Sequence, residues 1–276
     1  SEAIGIALGR ATAARIAVSP TEHDAVLRIA GDADWLTVNE NGAVTDVRAG
    51  ALHAIQHVNN ETGVIQPISD LAAAIHEAGG TLFCDCAQSA GKLALPSGAD
   101  MIAISAHKFG GPPGVGALLV RDLALLKPTG GQEQGYRGGT ENLPGILGMA
   151  AALEQGQEWM TKAAQLRVTL DEAIIAAGGE IVAGTAERIA TIASYRMPCV
   201  SARAQLIRFD AAGVAVSAGA ACSSGTLKTS PVLKALGWED KPADEVIRVS
   251  FGPVTSEAEI AAFLDIWRGM AKARAA

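Results

Sequence analysis

Short apolar runs alternate with amphipathic segments along the first half of the chain. Two amphipathic segments have helical spacing: "TEHDAVLRIAG", which is entered at Pro20-Thr21, and "SDLAAAIHEAGG", with Ser69 as N-cap and Gly79 at its end. The apolar runs, typical of buried strands, are "RIAVS", "ALHAIQHV", "TLFCD", "MIAIS" and "VGALLV". This alternation predicts an α/β fold with a mostly parallel central sheet that helices cover on both faces.

The pattern changes after Thr140. Apolar positions from Leu143 to about Leu170 predict one long helix. A smaller α+β segment follows, with "RIATIASY", "VAVSAG" and "VIRVSF" as strands and "ARAQLIRFDAAG", "SPVLKALG" and "SEAEIAAFLDIWRGMAKA" as helices. We therefore predict a large domain over residues 1–145, a connecting helix over 146–165 and a small C-terminal domain over 166–276.

The first segment, "SEAIGIALGRA", has the pattern of a helix whose first residue, Ser1, is its own N-cap. A complete α/β domain normally supplies a strand and a turn before such a helix. We therefore expect the chain to lack an N-terminal portion of its large domain.

Charge and composition narrow the class of protein. The formal net charge is −7 and Lys and Arg do not cluster, which argues against a nucleic-acid surface. No apolar run is long enough to cross a membrane, and no secretory leader pattern is present. These features predict a soluble, cytosolic protein.

Four cysteines are too few and too scattered for a disulfide framework. Cys84 and Cys86 form a C-x-C pair without a second pair of soft ligands, so we expect no metal site and interpret both as buried structural thiols. Cys222 lies in "SAGAACSSG", a loop of small residues. Such a loop exposes a thiol, although close backbone packing also selects small residues.

Lys108 lies where the strand "MIAIS" ends, in "ISAHKFGGPPGVGALLV". Its amine could extend to solvent, or it could be a nucleophile that forms a Schiff base. Asp85 ends another strand, with Gln88 three residues later, and ligands of open α/β sheets bind outside the carboxyl ends of strands. Asp85 could be an ordinary N-cap, but an acid and a lysine facing one crevice fit a pyridoxal phosphate site. Ser105 and His107 add donors suited to its phosphate.

Two weaker candidates complete this set. His23 lies at a predicted helix start, where a histidine is more often solvated or a packing residue. Asn59 and Asn60 follow a third strand, where asparagine is most often a turn former.

The order of several segments is more specific than any one motif. They are "TEHDAV", "HVNNETGVIQPI", "DCAQSAGK", "SAHKFGGPPGVGALLV", "GGQEQGYRGGTENLPGILG", "SAGAACSSG", "SPVLKALG" and "IRVSFGPVTSEAEI". Through them the chain resembles the cysteine desulfurases, which are pyridoxal phosphate enzymes of the class V aminotransferase superfamily. The resemblance runs nearly end to end and implies the type I fold of pyridoxal phosphate-dependent transferases.

The resemblance implies cofactor roles for five residues. Lys108 is the Schiff-base lysine, His23 stacks on the cofactor ring and Asp85 pairs with the ring nitrogen. Gln88 and Asn60 contact the ring oxygen or the substrate.

It also implies a phosphate site and a substrate site. Ser105 and His107 bind the phosphate, and Thr140 of "GGTEN" reaches the phosphate of the neighbouring subunit of a homodimer. Arg248 of "IRVS" holds the substrate carboxylate. Cys222 is the nucleophile that takes the sulfur.

Two positions depart from the family pattern. Ser1 falls where the family usually has a threonine that begins the phosphate-binding helix, and we include Ser1 in the expected cofactor site. Tyr136 replaces a residue that is commonly basic in the family.

The activity that the resemblance implies is the conversion of L-cysteine to L-alanine, with a persulfide formed on Cys222. The sulfur then passes to an acceptor protein, either a scaffold for iron–sulfur clusters or a thiolation carrier. The alternatives are another enzyme of the superfamily, such as a selenocysteine lyase or an aminotransferase, and a truncated, cofactor-free scaffold protein.

Overall fold

The computed structural model describes residues 1–219 and 229–275. The chain divides into two compact units. The first unit comprises Ser1–Val38, Ala43–Asn59 and Gln66–Gln157, and the second comprises Asn39–Gly42, Asn60–Ile65 and Glu158–Ala276.

The first unit contains a six-stranded sheet of order β2-β1-β3-β4-β5-β6. All neighbouring pairs are parallel except β5 and β6, which confirms the predicted mostly parallel sheet. The strands are β1 (Ile16–Val18), β2 (Asp34–Trp35), β3 (Leu52–Gln56), β4 (Thr81–Asp85), β5 (Met101–Ser105) and β6 (Gly116–Val120). The helices of this unit are α1 (Glu2–Gly9), α2 (Asp24–Ala30), α3 (Ile68–Glu77) and α4 (Leu143–Glu154).

Both faces of this sheet are packed against helices. On one face Ile55 and Leu82 pack in a cluster with Ile75 of α3. On the other face Phe83 packs in a cluster with Leu8 of α1 and further residues of α2. Every residue of β3 is buried, as expected for a central parallel strand, and each large apolar side chain contributes about 1.5–3 kcal/mol.

The second unit contains an antiparallel sheet of order β7-β8-β10-β9. Its strands are β7 (Glu180–Ile181), β8 (Ile192–Arg196), β9 (Ser217–Ala218) and β10 (Val246–Ser250). Its helices are α5 (Trp159–Ala176), α6 (Ala202–Ala211), α7 (Pro231–Ala235), α8 (Asp240–Ala243) and α9 (Glu257–Ala275). An aromatic core holds this unit together, in which the rings of Phe209 and Phe263 stack 4.6 Å apart.

Several predicted helix boundaries are wrong. The single helix expected from Leu143 to about Leu170 is two helices, α4 and α5, with Gly156 between them at a φ of +75°. Ser69 is not an N-cap, because α3 begins at Ile68 after Pro67. The cap at Ser230 is confirmed, since its side chain accepts a hydrogen bond from the Leu233 amide.

Two predicted strands of the second unit are displaced or shortened. "RIATIASY" predicted a strand from Arg188, but β8 begins at Ile192, after the turn in which the Ile192 amide donates to the Ile189 carbonyl. "VAVSAG" forms only the two-residue strand β9, and the residues after Gly219 lie outside the described part until residue 229.

Candidate active site

Two adjacent strands of the first unit end in predicted site residues. β4 ends at Asp85 and β5 ends at Ser105, and the two strands run parallel with Asp85 opposite Ala103. A short 3₁₀ helix, Ala106–Lys108, follows β5 directly. Because carboxyl ends of parallel strands meet at one edge of a sheet, Asp85 and Lys108 lie at the same edge.

Asp85 is 7% exposed, and its Oδ1 accepts a hydrogen bond of 2.9 Å from the Ala87 amide. Burial raises the pKa of Asp85, while this hydrogen bond and the nearby basic groups of His23 and Lys108 act in the opposite direction. The net shift of the Asp85 pKa is upward, because burial outweighs the hydrogen bond and the nearby basic groups.

His23 is the N-cap of α2, which begins at Asp24 and not at the predicted Pro20-Thr21. Its Nδ1 accepts a hydrogen bond of 3.1 Å from the Ala25 amide, so the neutral ring carries its proton on Nε2. Burial lowers the pKa of His23, and the Asp85 carboxylate partly offsets this. The helix start thus holds a neutral imidazole within electrostatic reach of Asp85 and Lys108.

Lys108 is exposed at the end of the 3₁₀ helix. Beside it, Ser105 Oγ and His107 Nδ1 form a hydrogen bond of 2.9 Å. Burial and the charge of Lys108 lower the pKa of His107. A hydroxyl, an imidazole and a primary amine are therefore grouped within four residues, which is a donor set suited to an anion.

Glycines let the Asp85 and Lys108 segments approach each other closely. Gly91 has a φ of +71°, and a Cβ there would lie 2.6 Å from the Cβ of Phe109, the residue after Lys108. A Cβ on Gly111 would lie 2.9 Å from the Cβ of Ala106. The glycine-rich sequence after Lys108 thus folds back on the 3₁₀ helix that carries this lysine.

Gln88 is half-buried beyond the end of β4, and its carbonyl oxygen accepts a hydrogen bond of 3.1 Å from Lys92 Nζ. Burial and the nearby charge of Lys108 lower the pKa of Lys92 to about 8. Lys92 is not among the site residues predicted from the sequence. Its spacing of four residues from Gln88 in "CDCAQSAGK" is the signal that could have found it.

Ser1 is the N-cap residue of α1, but its side chain makes no capping hydrogen bond. The start of α1 lies within electrostatic reach of His23, Asp85 and His107.

An ion pair and a hydrogen bond connect the loop that carries Thr140 to α1 and the residue after it. Arg137 Nε lies 3.3 Å from Glu2 Oε1, and Arg10 Nη1 donates to the carbonyl oxygen of Tyr136. Thr140 itself is exposed. Its expected contact with a neighbouring subunit stays a prediction.

Arg248 and Asn60 come together in the second unit. Arg248 lies in the middle of β10, half-buried, and its Nη1 donates a hydrogen bond of 3.0 Å to the backbone carbonyl of Asn60. Its Nε is buried without a partner among the described residues. The contact uses the backbone of Asn60, so nothing in it tests the expected role of the Asn60 amide.

The cysteines fall into two environments. Cys84 and Cys86 are fully buried, as predicted, with their Sγ atoms 3.6 Å apart, and burial raises the pKa of the Cys84 thiol well above its ordinary value. Cys199 is exposed. Cys222 lies outside the described residues.

Within residues 1–219 and 229–275, no three His, Cys, Asp or Glu side chains are grouped as metal ligands would be.

The residues of the first unit fit pyridoxal phosphate. The cofactor needs an amine for its aldehyde, a carboxylate for its ring nitrogen and donors for its phosphate. Lys108, the buried Asp85 and the Ser105–His107 pair supply these groups at one edge of the sheet, and His23 adds a neutral ring.

Comparison with known proteins identifies the family. The family model for class-V aminotransferases matches residues 7–263. The chain belongs to the class-V aminotransferase family. Cysteine desulfurase from Gluconacetobacter diazotrophicus is 37% identical over 80% of this chain and 58% of that protein. Cysteine desulfurase from Klebsiella pneumoniae is 38% identical over 76% of this chain and 56% of that protein, so the chain spans little more than half the length of these relatives.

Solved structures of the family superpose closely on this chain. The NifS-like protein from Rickettsia africae matches with a TM-score of 0.88 and 25% identity, covering 98% of this chain and 79% of that one. DndA from Streptomyces lividans matches with a TM-score of 0.73 and 31% identity, covering 90% of this chain and 80% of that one. These class-V structures confirm the expected type I transferase fold. No helix in the described part of the chain is long and apolar enough to cross a membrane.

Proposed function

We propose that the chain binds pyridoxal phosphate in its first unit and acts as a cysteine desulfurase, which converts L-cysteine to L-alanine. The observation that carries this proposal is the placement of a buried carboxylate, Asp85, and an exposed amine, Lys108, at the ends of adjacent parallel strands. The choice of reaction is supported by relatives named cysteine desulfurase and by the sequence around Cys222.

The expected roles of the cofactor residues follow from the family resemblance. Lys108 would anchor its aldehyde carbon, Asp85 would pair with its ring nitrogen and His23 would stack on its ring. Gln88 and the Asn60 amide would contact the ring oxygen or the substrate. When bound, pyridoxal phosphate supplies an electron sink for negative charge at the α-carbon of the substrate.

The phosphate would be bound by four hydroxyl or imidazole side chains. Ser105 and His107 would donate to it from the end of β5, and Ser1 would do so from the start of α1. Thr140 would reach the phosphate of a second copy of the chain.

Three side chains would act on L-cysteine. The guanidinium of Arg248 would hold the α-carboxylate, which fits its Nε, an atom without a partner among residues 1–219 and 229–275. Lys108 would move the proton of the α-carbon. The thiolate of Cys222 would attack the sulfur of the substrate: the carbon–sulfur bond breaks, a sulfur–sulfur bond forms, and the electron pair left on carbon takes up a proton. The products are L-alanine and a persulfide on Cys222.

We also propose that the persulfide sulfur passes to an acceptor protein, either a scaffold for iron–sulfur clusters or a thiolation carrier. Homodimer formation is supported by α4, where Leu143 and Leu147 are 61% and 62% exposed. A cytoplasmic location is supported by the free thiols of Cys84, Cys86 and Cys199.

The experiment mixes the purified chain with pyridoxal phosphate and L-cysteine and measures L-alanine and alkylation-trapped persulfide. Cys222→Ser is expected to lose both products but to keep its visible absorption and its spectral response to L-cysteine. Cys199→Ser, which removes the exposed thiol of the described residues, is the matched control and is expected to retain both products. Persulfide on Cys199 in the Cys222→Ser variant would mean that the wrong cysteine is assigned.

A second experiment distinguishes a cysteine desulfurase from the other superfamily enzymes and from a cofactor-free scaffold. Lys108→Ala is expected to lose the visible absorption of the bound cofactor and to remain folded, because this side chain is exposed. An aminotransferase would consume an amino donor without releasing sulfur, and a selenocysteine lyase would prefer selenocysteine over cysteine. A wild-type chain that never acquires visible absorption would support the cofactor-free scaffold and contradict the proposal.

A further inference from the structure

Glu22 carries a buried carboxyl group that has no assigned role in the proposed reaction. It lies between β1 and α2, immediately before His23, and it is 2% exposed. Its Oε1 accepts a hydrogen bond of 2.7 Å from the backbone amide of Gln56. Its Oε2 is buried and has no partner in the part of the chain that the structure describes.

The Glu22 contact joins the loop before His23 to the end of β3. Gln56 is the last residue of β3, and its side chain also donates to the carbonyl oxygen of Thr21. Asn59 Nδ2 donates to the same carbonyl oxygen at 3.0 Å. Three hydrogen bonds from residues 56–59 therefore hold residues 21 and 22, the segment that places His23 before the first turn of α2.

Burial, together with the nearby charge of Asp85, favours the protonated form of Glu22. Burial raises its pKa well above the ordinary value, the Gln56 amide lowers it, and the nearby carboxylate of Asp85 raises it again. From β4, Cys84 also faces Glu22, and the pKa of that thiol is raised in part by Glu22. A carboxylate with one oxygen unpartnered in such a place would cost far more free energy than a neutral acid.

We propose that Glu22 is a positioning residue for His23, and that it works as a neutral carboxylic acid fastened to the end of β3. A negative charge at residue 22 would draw a proton onto the adjacent imidazole and compete with Asp85 for the cations of the site. A neutral acid keeps the hydrogen bond and leaves Asp85 as the carboxylate of this cluster. The functional meaning of the inference rests on the proposed cofactor role of His23.

The test uses the chain without cofactor, so its outcome does not depend on the proposed reaction. The free energy of unfolding in urea is measured from pH 4 to pH 9 for wild type and for Glu22→Gln, with Glu77→Gln as the exposed control. The stability that the raised pKa confers is fully present below the unfolded value of 4.5 and is lost as pH rises through the folded value. The unfolding equilibrium constant of Glu22→Gln relative to wild type should therefore fall about tenfold per pH unit across that window.

The position of His23 is read from its imidazole NMR titration. Glu22→Gln, which keeps the acceptor and the neutral state, is expected to titrate as wild type does, whereas Glu22→Leu fills the space without an acceptor and should shift the titration. A pH-independent stability difference for Glu22→Gln, or a shifted His23 titration in that variant, would overturn the proposal. An unshifted His23 titration in Glu22→Leu would also overturn it, and Glu22→Ala replaces Glu22→Leu if that variant does not fold. A normal Glu22 result in a chain without desulfurase activity would refute only the proposed function.

Discussion

Lys92 donates a hydrogen bond from its Nζ to the carbonyl oxygen of Gln88, 3.1 Å away, in the turn that follows β4. This contact closes the segment that begins with Asp85 and keeps a second amine near Lys108. Burial and the charge of Lys108 lower the pKa of Lys92 to about 8. The segment therefore contains a lysine that is close to losing its charge at mildly alkaline pH.

The Lys92→Met variant should change how stability depends on pH. A lysine whose pKa is lowered by folding adds stability above its unfolded pKa of 10.5, and that stability is lost as pH falls through about 8. Wild type should gain about 2–3 kcal/mol between pH 8 and pH 10.5 relative to Lys92→Met. Urea unfolding at both pH values measures the difference.

Lys127→Met is the control for Lys92→Met, because Lys127 is an exposed lysine of the same unit. The control should follow the wild-type pH dependence. Equal pH dependence in Lys92→Met and wild type would show that Lys92 titrates as it does in water.

Gly91 should be less tolerant of alanine than a glycine with the same backbone conformation elsewhere. Gly91 and Gly79 have φ values of +71° and +72°, but only the Cβ at residue 91 would meet a neighbour, the Cβ of Phe109 at 2.6 Å. Both substitutions carry the left-handed backbone cost of about 1 kcal/mol, and Gly91→Ala should cost about 1–3 kcal/mol more. Urea unfolding compares the two.

The added Cβ of Gly91→Ala would also displace Phe109, the residue after Lys108. Gly91→Ala is therefore expected to retain less pyridoxal phosphate than Gly79→Ala at matched stability. Equal unfolding free energies and equal cofactor retention in the two variants would contradict the close approach of Gly91 to Phe109.

The sequence predicted the central strands of the first unit well, because each is a short apolar run whose burial follows from its composition. β2 and β7 escaped prediction because two residues are too few to show a period. The helix break at Gly156 was missed because the apolar spacing continues on both sides of it. The start of α3 was misplaced because Pro67, not Ser69, precedes its first helical residue.

The sequence correctly placed Asp85 and Ser105 at strand ends, and their roles stay predictions. Glu22 and Lys92 were not, because their importance depends on burial and on partners that only the fold brings to them. The contact of Arg248 with the backbone of Asn60 joins residues far apart in the sequence and has no local pattern.

Alkylation should separate the cysteines of the described residues by exposure. Cys199 is exposed, whereas Cys84 and Cys86 are fully buried, so iodoacetamide should label Cys199 in the folded chain and reach the other two only in urea. Cys84→Ser and Cys86→Ser should each cost about 1–3 kcal/mol of stability, because a buried hydroxyl needs a hydrogen-bond partner. Mass spectrometry of the labelled peptides and urea unfolding measure both effects. Rapid labelling of Cys84 or Cys86 without denaturant would contradict their burial.

The apolar surface of α4 gives the sharpest test of the proposed homodimer. Leu143 and Leu147 are four residues apart on this helix, so both point to the same side, and both are largely exposed within one chain. A second copy that covers them would gain about 1.5–3 kcal/mol per leucine, and a carboxylate placed there would remain charged and oppose the contact. Leu147→Asp should therefore raise the dimer dissociation constant at least about tenfold, measured by sedimentation velocity over a dilution series. Val168→Asp on α5 of the second unit is the control, since Val168 is similarly exposed, and it should leave the constant unchanged.

If Thr140 also reaches the phosphate of a second copy, Leu147→Asp should lose pyridoxal phosphate on dilution at concentrations where Val168→Asp retains it. A wild-type monomer at all concentrations, or a Leu147→Asp variant that dimerises as wild type does, would exclude α4 as the interface.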